Sequence, residues 1–228
     1  MQHLAIIPDG NRRWAAKNKL QALLGHRTGM ETVRTAIKVC IKNNIKYLSF
    51  YTFSLENFKR SEEEKSYLFA LLTDGFRKNL PELVAQNIRV RFLGDRALFP
   101  EKIRDIINEV EAKTAHLNKL NLNLLFCYGS RGEIAHAVKV LAQKVKDGIL
   151  SIEDINEDTV SNSLWTAGIP DPDLVLRTSG TVRTSNFLLY QSAYSEWSFL
   201  DCHWPEVTAE LLEQNIDKFK EIKRNFGK

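Results

Sequence analysis

Short apolar runs alternate along this chain with longer stretches of amphipathic spacing. His3 to Ile7, Lys46 to Phe53, Arg89 to Gly94, Leu120 to Cys127 and Leu174 to Arg177 are brief, apolar and bounded by turn formers, and read as buried strands. Arg27 to Asn43, Glu62 to Gln86, Pro100 to Leu117, Gly132 to Asp147 and Ala209 to Phe226 carry helical spacing. Such alternation predicts an α/β fold, a largely parallel central sheet flanked by helices. No internal repeat or Pro/Gly/Ser linker breaks the pattern, so residues 1–228 are expected to form one domain. Ligands of a parallel sheet gather at the carboxyl ends of its strands. The unusual polar residues fall there: Asp9, Ser54 to Arg60, Tyr128 to Arg131 and Arg177 to Gly180.

Composition narrows the class. Hydrophobic residues make up 43% of the 228 and charged ones 26%, as in an ordinary soluble domain. The formal charge of +4 suits small polyanionic ligands, and no basic stripe interleaved with aromatics points to a nucleic-acid partner. Cys40, Cys127 and Cys202 lie far apart without metal spacing, which favours reduced thiols and a cytoplasmic location. No apolar run approaches the ~18 residues of a membrane span.

The chemistry concentrates in three clusters. In the first, Pro8-Asp9-Gly10-Asn11 ends a strand and Arg12, Arg13 and Trp14 open a helix, so an acid stands beside an anion-binding corner. That pairing points to a phosphorylated substrate bound with a divalent cation. The second, Ser54-Leu55-Glu56-Asn57-Phe58-Lys59-Arg60, is either a substrate-binding and proton-handling segment or a helix cap with Ser54 capping. The third runs from Arg177 through Thr178, Ser179, Gly180 and Arg183 to Thr184, Ser185 and Asn186, two arginines and several hydroxyls able to wrap a diphosphate. Glu196 follows as a lone acid among aromatic and apolar residues, where a metal would resolve a buried carboxylate. His26 lies between Gly25 and Gly29, which favours a phosphate-site role, whereas His3, His116, His136 and His203 read as structural or surface groups.

In order along the chain, the motifs Asp9-Gly10-Asn11-x-Arg13-Trp14, Gly25-His26-x-x-Gly29, Ser54-x-Glu56-Asn57-x-x-Arg60, Tyr128-Gly129-x-Arg131 and Arg177-Thr178-x-Gly180-x-x-Arg183-x-Ser185-Asn186-Phe187 resemble the cis-prenyltransferases, the family of undecaprenyl diphosphate synthase. The resemblance implies head-to-tail condensation of isopentenyl diphosphate onto an allylic diphosphate such as farnesyl diphosphate, with a long-chain Z-polyprenyl carrier lipid as product. It also implies Mg²⁺, a homodimer, and a sheet-and-helix fold with a hydrophobic product tunnel. A peripheral contact with a membrane surface suits release of such a product. Carried over by position, Asp9 and Glu196 hold the metal, and Asp9 and Asn57 are catalytic. Gly10, Asn11, Arg12, Arg13, Trp14, His26, Ser54, Leu55, Glu56, Phe58 and Arg60 bind the allylic diphosphate. Arg177, Arg183, Thr184 and Ser185 bind isopentenyl diphosphate. The chain departs from the commonest pattern at Pro8, Arg12, Ala22, Phe58, Cys127, Thr181 and Tyr190. Ala22 lacks an arginine expected for the allylic diphosphate; Arg12 and Arg27 are the compensating cations at hand. These departures motivate a short-chain or irregular-coupling alternative, and a non-catalytic supporting subunit is the alternative of another class.

Overall fold

The structure, a computed structural model, describes residues 1–223. Six strands form one sheet: β1 (His3–Ile7), β2 (Tyr47–Ser54), β3 (Ile88–Leu93), β4 (Leu120–Tyr128), β5 (Leu174–Arg177) and β6 (Glu196–Phe199). Their order is β3-β4-β2-β1-β5-β6 and every neighbouring pair is parallel. The helices are α1 (Asn11–Lys17), α2 (Ala22–Lys42), α3 (Glu62–Ala85), α4 (Glu101–Thr114), α5 (Ser130–Lys146), α6 (Glu157–Ser161) and α7 (Ala209–Glu221). The predicted α/β sheet is therefore present. Its sixth strand escaped the sequence pattern because β6 is a four-residue edge strand with every side chain only half-buried. The C-terminal helix stops at Glu221 rather than Phe226; residues 224–228 lie outside the described part of the chain.

Successive side chains of a strand point to opposite faces, and here both faces are buried. Leu4, Ile6, Leu48, Phe50, Leu122, Leu124 and Phe126 join the larger core cluster, to which α2, α3, α4 and α7 also contribute. Ala5, Ile7, Leu125, Tyr128 and Val175 face the other way, against Phe187 and Leu188. Polar groups on that second face are bonded in series: His3 Nε2 lies 2.7 Å from Ser49 Oγ, which accepts from Asn123 Nδ2 at 3.1 Å. The long helix α3 starts at Ser61, whose hydroxyl accepts the Glu64 N–H at 3.3 Å, with Glu62, Glu63 and Glu64 favouring the helix dipole. The cap of that helix is thus Ser61, whereas Ser54 caps the short 3-10 turn Leu55–Lys59 before it. The register between β2 and β4 shifts between Tyr51 and Ser54, so β2 ends irregularly, immediately before the second cluster.

Candidate active site

Parallel strands bring their carboxyl ends to one edge, where the loops after β1, β2, β4 and β5 meet. The first and last of these are bonded directly. The Thr178 hydroxyl accepts the Asp9 N–H at 2.9 Å and donates to the Asp9 carbonyl at 2.6 Å. Asp9 Oδ1 accepts from Gly10 N at 2.7 Å and Arg13 Nη2 at 3.1 Å, and Oδ2 accepts from Arg177 Nη2 at 2.9 Å. Burial pushes the Asp9 carboxyl up, but Arg177, Arg13 and the Gly10 N–H outweigh it and hold the carboxyl below its ordinary value. Gly10 has φ 96°, and a Cβ there would fall 2.6 Å from His203 Nδ1 and 2.8 Å from Ser179 Oγ. Only glycine fits this corner.

Arg177 is 3% exposed. Its Nη1 donates to Ser185 Oγ at 2.7 Å and to the Arg183 carbonyl, while its Nε is buried with no hydrogen-bond partner among the described residues. The loop it organises is wound through left-handed conformations at Ser179, Gly180, Ser185, Asn186 and Leu188. Such φ values in residues other than glycine mark a segment held in place by its surroundings. Within it the Arg183 side chain is exposed and Thr184 half-buried. Asn186 connects three loops: its Oδ1 accepts the Arg131 N–H at 2.8 Å and its Nδ2 donates to Glu56 at 3.2 Å.

The second cluster forms a 3-10 turn over Leu55–Lys59, where Asn57 Oδ1 accepts the Ser54 N–H at 3.2 Å. Phe58 packs edge-on against Phe53, and the Leu55 side chain lies against Gly129 and Gly132. Burial raises the Glu56 carboxyl, but bonds from its own backbone, Ser54 and Asn186 bring it below its ordinary value. Arg60 reaches Glu64 at 3.1 Å, and the same carboxylate lies 3.7 Å from both Arg12 and His26. His26 is pushed down to about 4, first by burial and then by Arg60, against the pull of Glu64. At neutral pH it is an uncharged imidazole, and its Nε2 and the Asn11 Oδ1 are both buried with no hydrogen-bond partner among the described residues. Gly25 and Gly29 are the reason α1 can lie on α2: a Cβ at Gly25 would meet the Asn11 carbonyl at 2.0 Å, and one at Gly29 the Asn11 Oδ1 at 2.5 Å. Trp14 is half-buried on α1.

Glu196 does not join this assembly within the chain. It opens β6 opposite Leu174, and Leu174 in turn pairs with Leu4, five residues before Asp9. Glu196 therefore sits at the amino end of the sheet, about 15 Å along the strand direction from Asp9. Nor is it buried; its side chain is partly exposed. Within one chain Asp9 and Glu196 are therefore not brought together. Among the described residues no three His, Cys, Asp or Glu side chains cluster as a cation cage. The sequence reading missed His203, whose Nδ1 lies 2.8 Å from Ser179 Oγ, and Glu64, the anionic centre of the Arg12–Arg60–His26 group. It also missed Glu133, fully buried under Tyr128, which accepts from the Tyr128 hydroxyl, Gln191 and Thr166. Each of the three owes part of its setting to residues distant in the chain: Glu64 to Arg12 and His26, Glu133 to Gln191 and Thr166, His203 to Ser179.

Beside the polar corner a cavity of about 540 Å³ runs between α2 and α3. Pro8 and His26 stand at one end, and Met30, Val33, Ile37, Phe50, Leu72, Phe76, Leu122 and Leu124 give it an apolar wall. An arginine-lined corner opening on such a groove defines a protein built for an anionic headgroup carrying a hydrocarbon tail.

Residues 7–227 match the family described as "Putative undecaprenyl diphosphate synthase". An isoprenyl transferase of Brucella abortus is 45% identical over 99% of this chain and 89% of its own length. That of Bacillus subtilis is 42% identical over 99% and 87%. Lavandulyl diphosphate synthase from Lavandula x intermedia, solved with dimethylallyl diphosphate, superposes with a TM-score of 0.96 at 32% identity, covering 100% of this chain and 98% of that one. A probable undecaprenyl diphosphate synthase of Campylobacter jejuni gives 0.83 at 34% identity, covering 100% and 99%. The chain belongs to the undecaprenyl diphosphate synthase family of isoprenyl transferases, and is a prenyltransferase enzyme.

Proposed function

We propose that this prenyltransferase condenses isopentenyl diphosphate with an allylic diphosphate, farnesyl diphosphate foremost, to give a Z-polyprenyl diphosphate. The observation that carries the reading is the meeting of two cationic subsites at Asp9, with the apolar groove leading away from one of them. Arg12, Arg13, Arg60, Asn11 and His26 receive the allylic diphosphate; Arg177, Arg183, Thr184 and Ser185 receive the isopentenyl diphosphate.

In the reaction the allylic C1–O bond breaks and its electron pair leaves with the diphosphate. The isopentenyl double bond forms the new C–C bond at that carbon, and a proton leaves C2 of the added unit. Arginine N–H groups fixed before reaction stabilise the charge growing on the departing diphosphate, commonly the dominant electrostatic contribution. Asn57 and Ser54 are positioned by their mutual bond to orient the proton-losing carbon, and an amide being a poor base, the proton passes to a relay or to the released diphosphate. Mg²⁺ suits this site: it is ordinarily held by one or two carboxylates plus substrate phosphates, and Asp9, its side chain 29% exposed, offers one such carboxylate. When bound it neutralises charge on the diphosphate oxygens.

The carrier-lipid role, the homodimer, a cytoplasmic location, a peripheral membrane contact for product release and one domain throughout the chain complete the proposal. No described helix is long and apolar enough to cross a membrane. The cavity favours a second reading for product length. An apolar cavity of about 150 Å³ holds benzene, about 25 Å³ per carbon, so 540 Å³ holds roughly 20 carbons. A short-chain product fits the groove as it stands, whereas a long-chain product requires it to open.

Isothermal titration with isopentenyl diphosphate and an unreactive thiolo analogue of farnesyl diphosphate tests the two-subsite reading in the presence of Mg²⁺. One equivalent of each binding simultaneously is expected. Competition for a single site would refute it.

A further inference from the structure

One polar connection crosses the outer side of the apolar groove. Arg34 on α2 donates through Nη2 to Asn79 Oδ1 on α3, and both side chains line the cavity. The Asn79 amide is held in that orientation because its Nδ2 donates to the Gly75 carbonyl at 2.7 Å. Arg34 is steadied on its solvent side by Glu31, 2.8 Å from Nη1, with the two side chains 37% and 69% exposed. The neighbouring wall is hydrocarbon, from Met30, Val33, Ile37, Phe76 and Leu83.

The strap lies at a definite depth. Arg34 is two helical turns beyond His26, about 12 Å along α2. An extended chain advances ~3.5 Å per three backbone bonds, so a four-bond isoprene unit covers about 4.5 Å. A tail anchored by its diphosphate near His26 thus reaches the level of the strap after two to three units. The cavity continues past the strap towards Ile37, Leu83 and Gln86 and is full at roughly four units. Longer tails then need the wall between α2 and α3 to give way, and the Arg34–Asn79 bond ties that wall together.

The geometry points to the Arg34–Asn79 bond as a length gate: closed, it limits how much of a prenyl tail the groove accepts, and parted, it admits longer tails. Arg34 can part by swinging towards Glu31 and solvent without disturbing the core. This inference rests on the prenyl diphosphate reading of the site.

The test is binding and needs no turnover. Quenching of the intrinsic tryptophan fluorescence, to which the cavity-lining Trp204 contributes, reports Kd for prenyl diphosphates of two, three, four, six and eight units against the wild-type protein, Asn79→Ala and Asn79→Asp. The wild-type Kd should fall up to about four units and then level or rise. In Asn79→Ala it should keep falling, at least tenfold tighter than wild type at six units and within threefold at two. Asn79→Asp, whose carboxylate grips Arg34 more firmly, should level off earlier. Identical length profiles for all three proteins would overturn the gate while leaving the prenyl diphosphate reading intact. Failure of every prenyl diphosphate to bind the wild type would overturn both.

Discussion

Replacing Asp9 by asparagine separates the structural role of this carboxylate from its chemical one. The side chain keeps its size and still accepts the Gly10 N–H, but Arg177, 3% exposed, loses its only carboxylate partner among the described contacts. A hydrogen bond to a charged group contributes about 1.5–3 kcal/mol, and breaking a fully buried pair costs about 3–5 kcal/mol. Asp9 is 29% exposed and Arg177 keeps Ser185 Oγ and the Arg183 carbonyl, so the lower range applies, about 2 kcal/mol. In a chain of this size that lowers Tm by about 4–8 °C. The Asp9 carboxyl is held below its ordinary value, so its stabilisation is present above the unfolded-state value and disappears as pH falls through the folded one. Wild type and variant should therefore converge in stability as pH falls below the ordinary carboxylate range. Turnover should fall by at least 10²–10³-fold, with a raised Mg²⁺ requirement. Calorimetry across pH and steady-state kinetics against Mg²⁺ provide the readouts. A variant with wild-type Tm at pH 7 and an unchanged Mg²⁺ profile would refute both halves of the reasoning.

Three further predictions follow from other contacts. Gly10→Ala forces a left-handed alanine and a Cβ into His203 and Ser179; about 2–4 kcal/mol of stability should be lost, and an unchanged Tm would contradict the geometry. Arg183→Ala should raise KM for isopentenyl diphosphate about tenfold to a hundredfold with little change for the allylic substrate; equal effects on both would place Arg183 elsewhere. His3 is pushed down to about 4, chiefly by burial, between the Pro170 carbonyl and Ser49. Because the unfolded chain takes the proton first, stability contributed by neutral His3 is complete above about pH 6.5 and falls by about 3 kcal/mol on acidification to pH 4; an NMR titration of His3 with a midpoint near 6.5 would contradict it.

How much was legible in the sequence differs by level. Five strands and their parallel arrangement follow from apolar runs separated by helical spacing, a local signal. β6 carries no such signal, since Glu196–Phe199 is short, at an edge and half-buried. The arginines and Asp9 were readable because parallel strands deliver their carboxyl ends to one edge, and Asp9 and Arg177 do meet there. The Gly25–Gly29 spacing suggests a phosphate site from sequence, and its structural consequence is the close seating of α1 on α2. Sequence order gives no strand level for Glu196; only its register with Leu174 shows it at the amino end of the sheet, apart from Asp9 of the same chain. Glu64, His203 and Glu133 gain their significance from partners outside their own segments.

The most direct test of the account is incorporation of radiolabelled isopentenyl diphosphate by the purified protein with farnesyl diphosphate and Mg²⁺, followed by dephosphorylation and sizing of the organic-soluble product. Label is expected in a prenyl chain extended by whole five-carbon units, dependent on the allylic primer and abolished by EDTA. Absence of labelled prenyl product with farnesyl, geranyl and dimethylallyl diphosphates alike would contradict it and point instead to a non-catalytic subunit.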